Sequence, residues 1–69
     1  MEEELRTFIG SDLAVYTGES CFRGKLIKVE EQLAVIEDKR VGKIYISLDQ
    51  ITAFHKDDQI SKGVGFVST

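Results

Sequence analysis

The sequence predicts a mostly β domain: a short N-terminal α-helix followed by a five-stranded, strongly bent antiparallel open barrel. Three observations lead there. Leu5, Phe8 and Ile9 recur at helical spacing ahead of Gly10. Beyond Gly10 the period turns to alternation, in short runs rich in Val, Ile, Tyr and Phe that Gly or charged pairs separate. The second of those runs changes phase half-way along, as a strand does where it bends.

The helix comes first. Glu2, Glu3 and Glu4 put carboxylates where the helix dipole favours them, and Gly10 suits the position just past a helix C-terminus. A helix of about nine residues does not hold alone in water, so Leu5, Phe8 and Ile9 are expected to lie against the rest of the domain. The first strand, Asp12 to Thr17, carries Leu13 and Val15 on one face, and Gly18-Glu19-Ser20 turns it into the second, Cys21 to Glu30. There Phe22, Gly24 and Leu26 share one parity while Ile27 and Val29 share the other. A bulge between Leu26 and Val29 brings both sets toward the core, and Gly24 admits another backbone at the curve.

Glu30-Glu31-Gln32 reads as the next turn, Leu33 to Ile36 as the third strand and Glu37 to Gly42 as a charged loop. Lys43 to Leu48 is the fourth strand, with Ile44, Ile46 and Leu48 inward, and Ile51 to His55 follows Asp49-Gln50 as the fifth, with Ile51 and Ala53 inward. Five short strands with hairpin-length connections and no Pro predict a meander that curls into an open barrel. Residues 1–56 make this domain. Residues 57–69 are expected to be a tail, weakly ordered or docked on a sheet edge through Ile60, Val64, Phe66 and Val67.

Composition narrows the function. A 69-residue chain forms one domain, and a domain of that size buries only roughly 60% of the surface its unfolded form exposes. Such a core needs support, and self-association is the expected source, because Cys21 is the only cysteine and can form no internal disulfide. A lone thiol suits a reducing compartment. No run reaches the roughly 18 apolar residues of a membrane span, and Met1-Glu2-Glu3-Glu4 has the wrong charge for a secretory signal. The expected location is the cytoplasm, without membrane contact. Twelve acidic against nine basic residues, a net charge of −3, exclude broad electrostatic binding of nucleic acid, so any RNA contact must be local.

The order Val15-Tyr16-Thr17-Gly18, Phe22-Arg23-Gly24-Lys25-Leu26, Val29-Glu30 and Leu33-Ala34-Val35 resembles the first motif of the Sm-like family, which includes Sm, Lsm and Hfq proteins. Gly42-Lys43-Ile44-Tyr45-Ile46 followed by Ile51 resembles the frame of the second. The resemblance spans Glu2 to Phe54. It implies a barrel that assembles into a homo-oligomeric ring through the edges of the fourth and fifth strands, with RNA as a ligand. At the positions where RNA-binding members carry Asp, Asn and an Arg-Gly pair, this chain has Glu30, Ala34 and Ser47-Leu48. The amide and guanidinium donors of the usual uridine pocket are therefore missing.

The residues leave two readings open. One is a non-enzymatic Sm-like scaffold, a homo-oligomer with single-stranded RNA as the further partner. The other is a monomeric SH3-like or PRC-barrel-like module that binds a peptide or protein. Tyr16, Tyr45 and Phe54 are expected opposite the core, where the helix covers them, a subunit interface buries them or bases stack on them. Arg23, Lys25 and Lys28 along the second strand, with Lys39, Arg40 and Lys43 around the charged loop, are the candidate nucleic-acid contacts. His55, Asp57 and Asp58 are too few spaced ligands for a metal site, and Cys21 has no positioned base, so neither a metal nor a catalytic residue is assigned. Gly63-Val64-Gly65 follows no strong strand and opens no helix, which leaves no phosphate loop and no expected cofactor.

Overall fold

Alternation places each strand, and the turns between strands decide how the sheet is connected. A computed structural model describes residues 1–57. It contains helix α1 (Glu2–Arg6), strands β1 (Asp12–Thr17), β2 (Ser20–Glu30), β3 (Leu33–Asp38), β4 (Gly42–Ser47) and β5 (Ala53–Lys56), and a 3₁₀ turn over Leu48–Gln50 between the last two strands. The protein is mostly β, one antiparallel sheet of five strands preceded by a short helix, and the sheet is not closed into a barrel. The expected tail, apart from Asp57, lies outside the described residues.

The strand order is β4-β3-β2-β1-β5, which corrects the simple meander. Consecutive hairpins join β1 through β4, but β5 returns across the domain to pair with β1, Val15 opposite Phe54 and Ala14 opposite His55. Thr52 N–H donates to the Tyr16 carbonyl at 2.8 Å and begins that pairing. The 3₁₀ turn supplies the reversal that Asp49-Gln50 alone could not, and it shifts the phase of β5. Ile51 is buried, Ala53 is exposed, and Phe54 packs against the core. The expectation that Ala53 faces in and Phe54 out is thereby reversed.

Two hairpin turns are two residues long. Thr17 faces Ser20 across Gly18-Glu19, with Gly18 at φ +60°. Glu30 faces Leu33 across Glu31 and Gln32, both at positive φ. This is the type I′ pattern that matches strand twist, built here from two side chains that find the left-handed region unfavourable.

The bend in β2 lies where the phase change predicts it. The β2–β3 register skips between Leu26 and Lys28, leaving Ile27 bulged, so that Leu26 and Val29 both reach the core. Just before it the backbone of β3 crosses so close to Gly24 that a Cβ there would stand 2.5 Å from the Glu37 carbonyl oxygen. The sheet thereby curls over Leu13, Val15, Leu26, Ala34, Ile36, Ile46, Leu48 and Ile51.

The helix is shorter than its pattern implied, ending at Arg6, and Thr7 to Gly10 continue as turns. Leu5 is fully buried and Phe8 packs on the core, but Ile9 is exposed, against expectation. The chain leaves the helical path because Gly10 N–H donates to the Leu26 carbonyl and Leu26 N–H to Ser11, which ties the segment to the bend of β2. Arg6 adds a 3.2 Å bond to the Val29 carbonyl. Among the described residues no helix is long and apolar enough to cross a membrane.

Candidate functional site: a charged concavity and two sheet edges

Lys25 is the hinge of the first site. In register it faces Asp12 on β1 and Glu37 on β3, so the bend of β2 gathers the start of β1 and the end of β3 around it. The loop after β3 completes the wall. Asp38 Oδ1 accepts the backbone N–H groups of Arg40 and Val41 at 2.6 and 3.1 Å, which turns the chain and aims Lys39 and Arg40 at the same space. Those two bonds hold the Asp38 carboxyl below the usual carboxylate range. Asp57 joins from beyond β5, its N–H bonded to the Asp12 carbonyl at 2.8 Å.

The result is a concavity of about 680 Å³ with Gly24 in its lining, where Arg23, Lys25, Lys39 and Arg40 face Asp12, Glu37, Asp38 and Asp57. The two basic groups separated in the sequence thus converge, and four of the six candidate cations share one site. Lys28 and Lys43 do not join them; they line a smaller groove beside Tyr45. Arg23 is held firmly charged by the Cys21 sulfur beside it and, second, by Asp57. Chemically the concavity offers guanidinium and ammonium donors, with neighbouring carboxylates that offset much of their field.

The three aromatic candidates separate. Tyr45 stands on the outer face of the edge strand β4, 63% exposed, opposite Val35, which is only 5% exposed. Tyr16 lies on the same outer face three strands away, where its hydroxyl and His55 Nε2 are 3.0 Å apart and the rings 5.6 Å apart. His55 Nδ1 is 2.8 Å from the Lys56 carbonyl, which can only accept, so in the neutral ring Nδ1 carries the proton and the Tyr16 hydroxyl donates to Nε2. Phe54 leaves the group. It meets Phe8 edge-on at 5.5 Å beneath the N-terminal segment. That contact is core packing, not a solvent-facing stacking position.

No family model, curated protein or solved structure matches this chain. The chemistry of the site therefore stands on the chain's own geometry, including one participant that sequence reasoning had dismissed. His55 was visible only as a poor metal ligand, because its partnership with Tyr16 depends on β5 crossing to β1. Edges are the other feature supplied by that crossing. Within the described residues, β4 and β5 each pair on one side only, so the sheet presents two free rows of backbone donors and acceptors.

Proposed function

We propose that this chain is a non-enzymatic module that assembles into a homo-oligomer edge to edge, in the manner of the Sm-like family its sequence resembles. The observation that carries the reading is the strand order, which among the described residues leaves β4 and β5 as the two edges of one bent sheet. An edge of unpaired N–H and C=O groups is a template for another strand, and two different edges on one molecule make a head-to-tail contact that closes when the rotation permits. A core built on so few residues supports the same reading, since pairing would bury further apolar surface.

In such an oligomer the charged concavity would recur once per subunit. The ligand class that this repeat would take is an anionic polymer, with single-stranded RNA the first to try. Carboxylates within each concavity keep the contact of one subunit weak, so binding would depend on avidity around the assembly.

Light scattering at two protein concentrations tests the assembly against the 7.8 kDa of one chain. The expected result is a stable mass several times larger, and a monomer at both concentrations sinks the proposal. Oligonucleotide binding across a salt series then tests the ligand: affinity should fall steeply with salt, and binding indifferent to salt removes the concavity as its cause.

The exposure of Tyr45 over its groove favours a second reading, a monomeric module in which that groove takes a peptide. Tyr45→Glu separates the two. It should disperse an oligomer in the first case and leave a folded monomer without peptide binding in the second.

A further inference from the structure

We propose that the groove beside Tyr45 is filled by this chain's own C-terminal segment, anchored by Val64 and Phe66. The groove lies on the outer face of β2, β3 and β4, where Ile27, Leu33, Val35 and Tyr45 form an apolar lining beside Lys28 and Lys43. Before the bend the same face of β2 carries Arg23 and Lys25 instead. The bulge makes the difference, because the extra residue it inserts is Ile27, left without a partner on β3 while Leu26 and Val29 turn to the core. Of the five large apolar side chains exposed among the described residues, Leu33 and Tyr45 line this groove. Its volume is about 180 Å³, the space of about six water molecules. That suits one or two side chains and no folded partner.

Reach singles out the occupant. The described residues stop at Asp57, whose N–H bonds to the Asp12 carbonyl. From there Asp12, Lys25, Glu37 and Lys43 stand in register across the sheet, and Lys43 already belongs to the groove. Four strand spacings and the step from Lys43 to Tyr45 make a path of about 20 Å. At about 3.3 Å per extended residue, Ile60 reaches only about 10 Å past Asp57, whereas Val64 and Phe66 reach about 23 and 30 Å. Val64 is therefore the first apolar residue able to arrive, and Phe66 has length to spare for the curl of the sheet.

Pattern agrees with reach. Val64 and Phe66 are two residues apart, so an extended segment turns both to one face and gives the other to Gly63, Gly65 and Val67. The two glycines let the backbone lie close along the sheet. Two side chains would hold a free peptide only weakly, but a segment tethered this near is present at an effective concentration of about millimolar. The docking needs no assembly. It holds for one chain and uses the face of β4, not the backbone groups of its edge.

Nuclear magnetic resonance on the full chain tests this. Phe66→Ser should move the amide signals of Ile27, Lys28, Val35 and Tyr45 and spare those of Val15 and Phe22, while Phe66→Leu should move the groove signals much less. Ile60→Ser, too near Asp57 to reach, should leave them in place. Groove signals that hold still in Phe66→Ser, or move as far in Ile60→Ser, overturn the proposal. A nitroxide on Ser68→Cys, in a Cys21→Ser background that removes the one native thiol, gives a second reading with both anchors intact. It should broaden the same groove signals within its own chain. No broadening there overturns the proposal. So does equal broadening in isotope-labelled chains that carry no nitroxide but are mixed with chains that do, since the segment would then sit on a second copy.

Discussion

Replacing Gly24 by alanine drives a new side-chain atom into the backbone of β3. The added Cβ would lie 2.5 Å from the Glu37 carbonyl oxygen, 2.9 Å from its carbon and 3.3 Å from the Asp38 nitrogen. All three are backbone atoms, and they cannot simply retreat. Glu37 is held in register by Lys25 on one side and Lys43 on the other, so moving it breaks ladders on both. Overpacking of this kind costs about 1–3 kcal/mol and occasionally more, and a rigid neighbour places this case at about 3 kcal/mol. A domain of 69 residues has a total stability of about 3–10 kcal/mol.

The melting temperature should therefore fall by about 10–25 °C. Circular dichroism at one fixed protein concentration reads the shift, because self-association would make it concentration-dependent. Gly18→Ala is the control. Its position is strained by φ +60° but has no atom within 4 Å, so it carries the backbone cost alone, about 1 kcal/mol. A Gly24→Ala melting temperature within about 3 °C of the parent, or no lower than that of Gly18→Ala, would refute the close crossing of β3 over β2.

The other predictions concern loops. Asp38→Asn should destabilise the fold near neutral pH but less in acid: with its folded value depressed, the Asp38 carboxylate stabilises above the ordinary carboxylate range and ceases to as pH falls through that folded value. Urea midpoints of parent and variant should converge as pH drops below that range, and a constant gap throughout would show that the Arg40 and Val41 bonds are not what depresses it. The Glu31-Gln32 turn should gain from the residues its geometry prefers. Glu31→Asn together with Gln32→Gly is expected to raise stability by about 1–2 kcal/mol, since both positions have positive φ. A lowered urea midpoint would contradict the turn type.

What the residues determined by themselves is the identity and bend of the strands. Val, Ile and Leu at alternate positions mark a buried face whatever the partner strand, and the phase change between Leu26 and Val29 announces a bulge because no straight strand could bury both sets. Gly24 as a point of close approach was legible for the same local reason. Site chemistry was legible only as an inventory: six cations and three aromatic residues, without their grouping. Tertiary structure decided that grouping, because it depends on contacts between distant segments. Pairing of β5 with β1 gave His55 to Tyr16, while the phase shift at the 3₁₀ turn sent Phe54 to the core and Ala53 to the surface. The curl of β2 brought Arg23 and Lys25 to Lys39 and Arg40. Alternation fixes which face a side chain takes within its own strand, but the partner strand and any shift of phase before it are settled by how the whole sheet closes over its core.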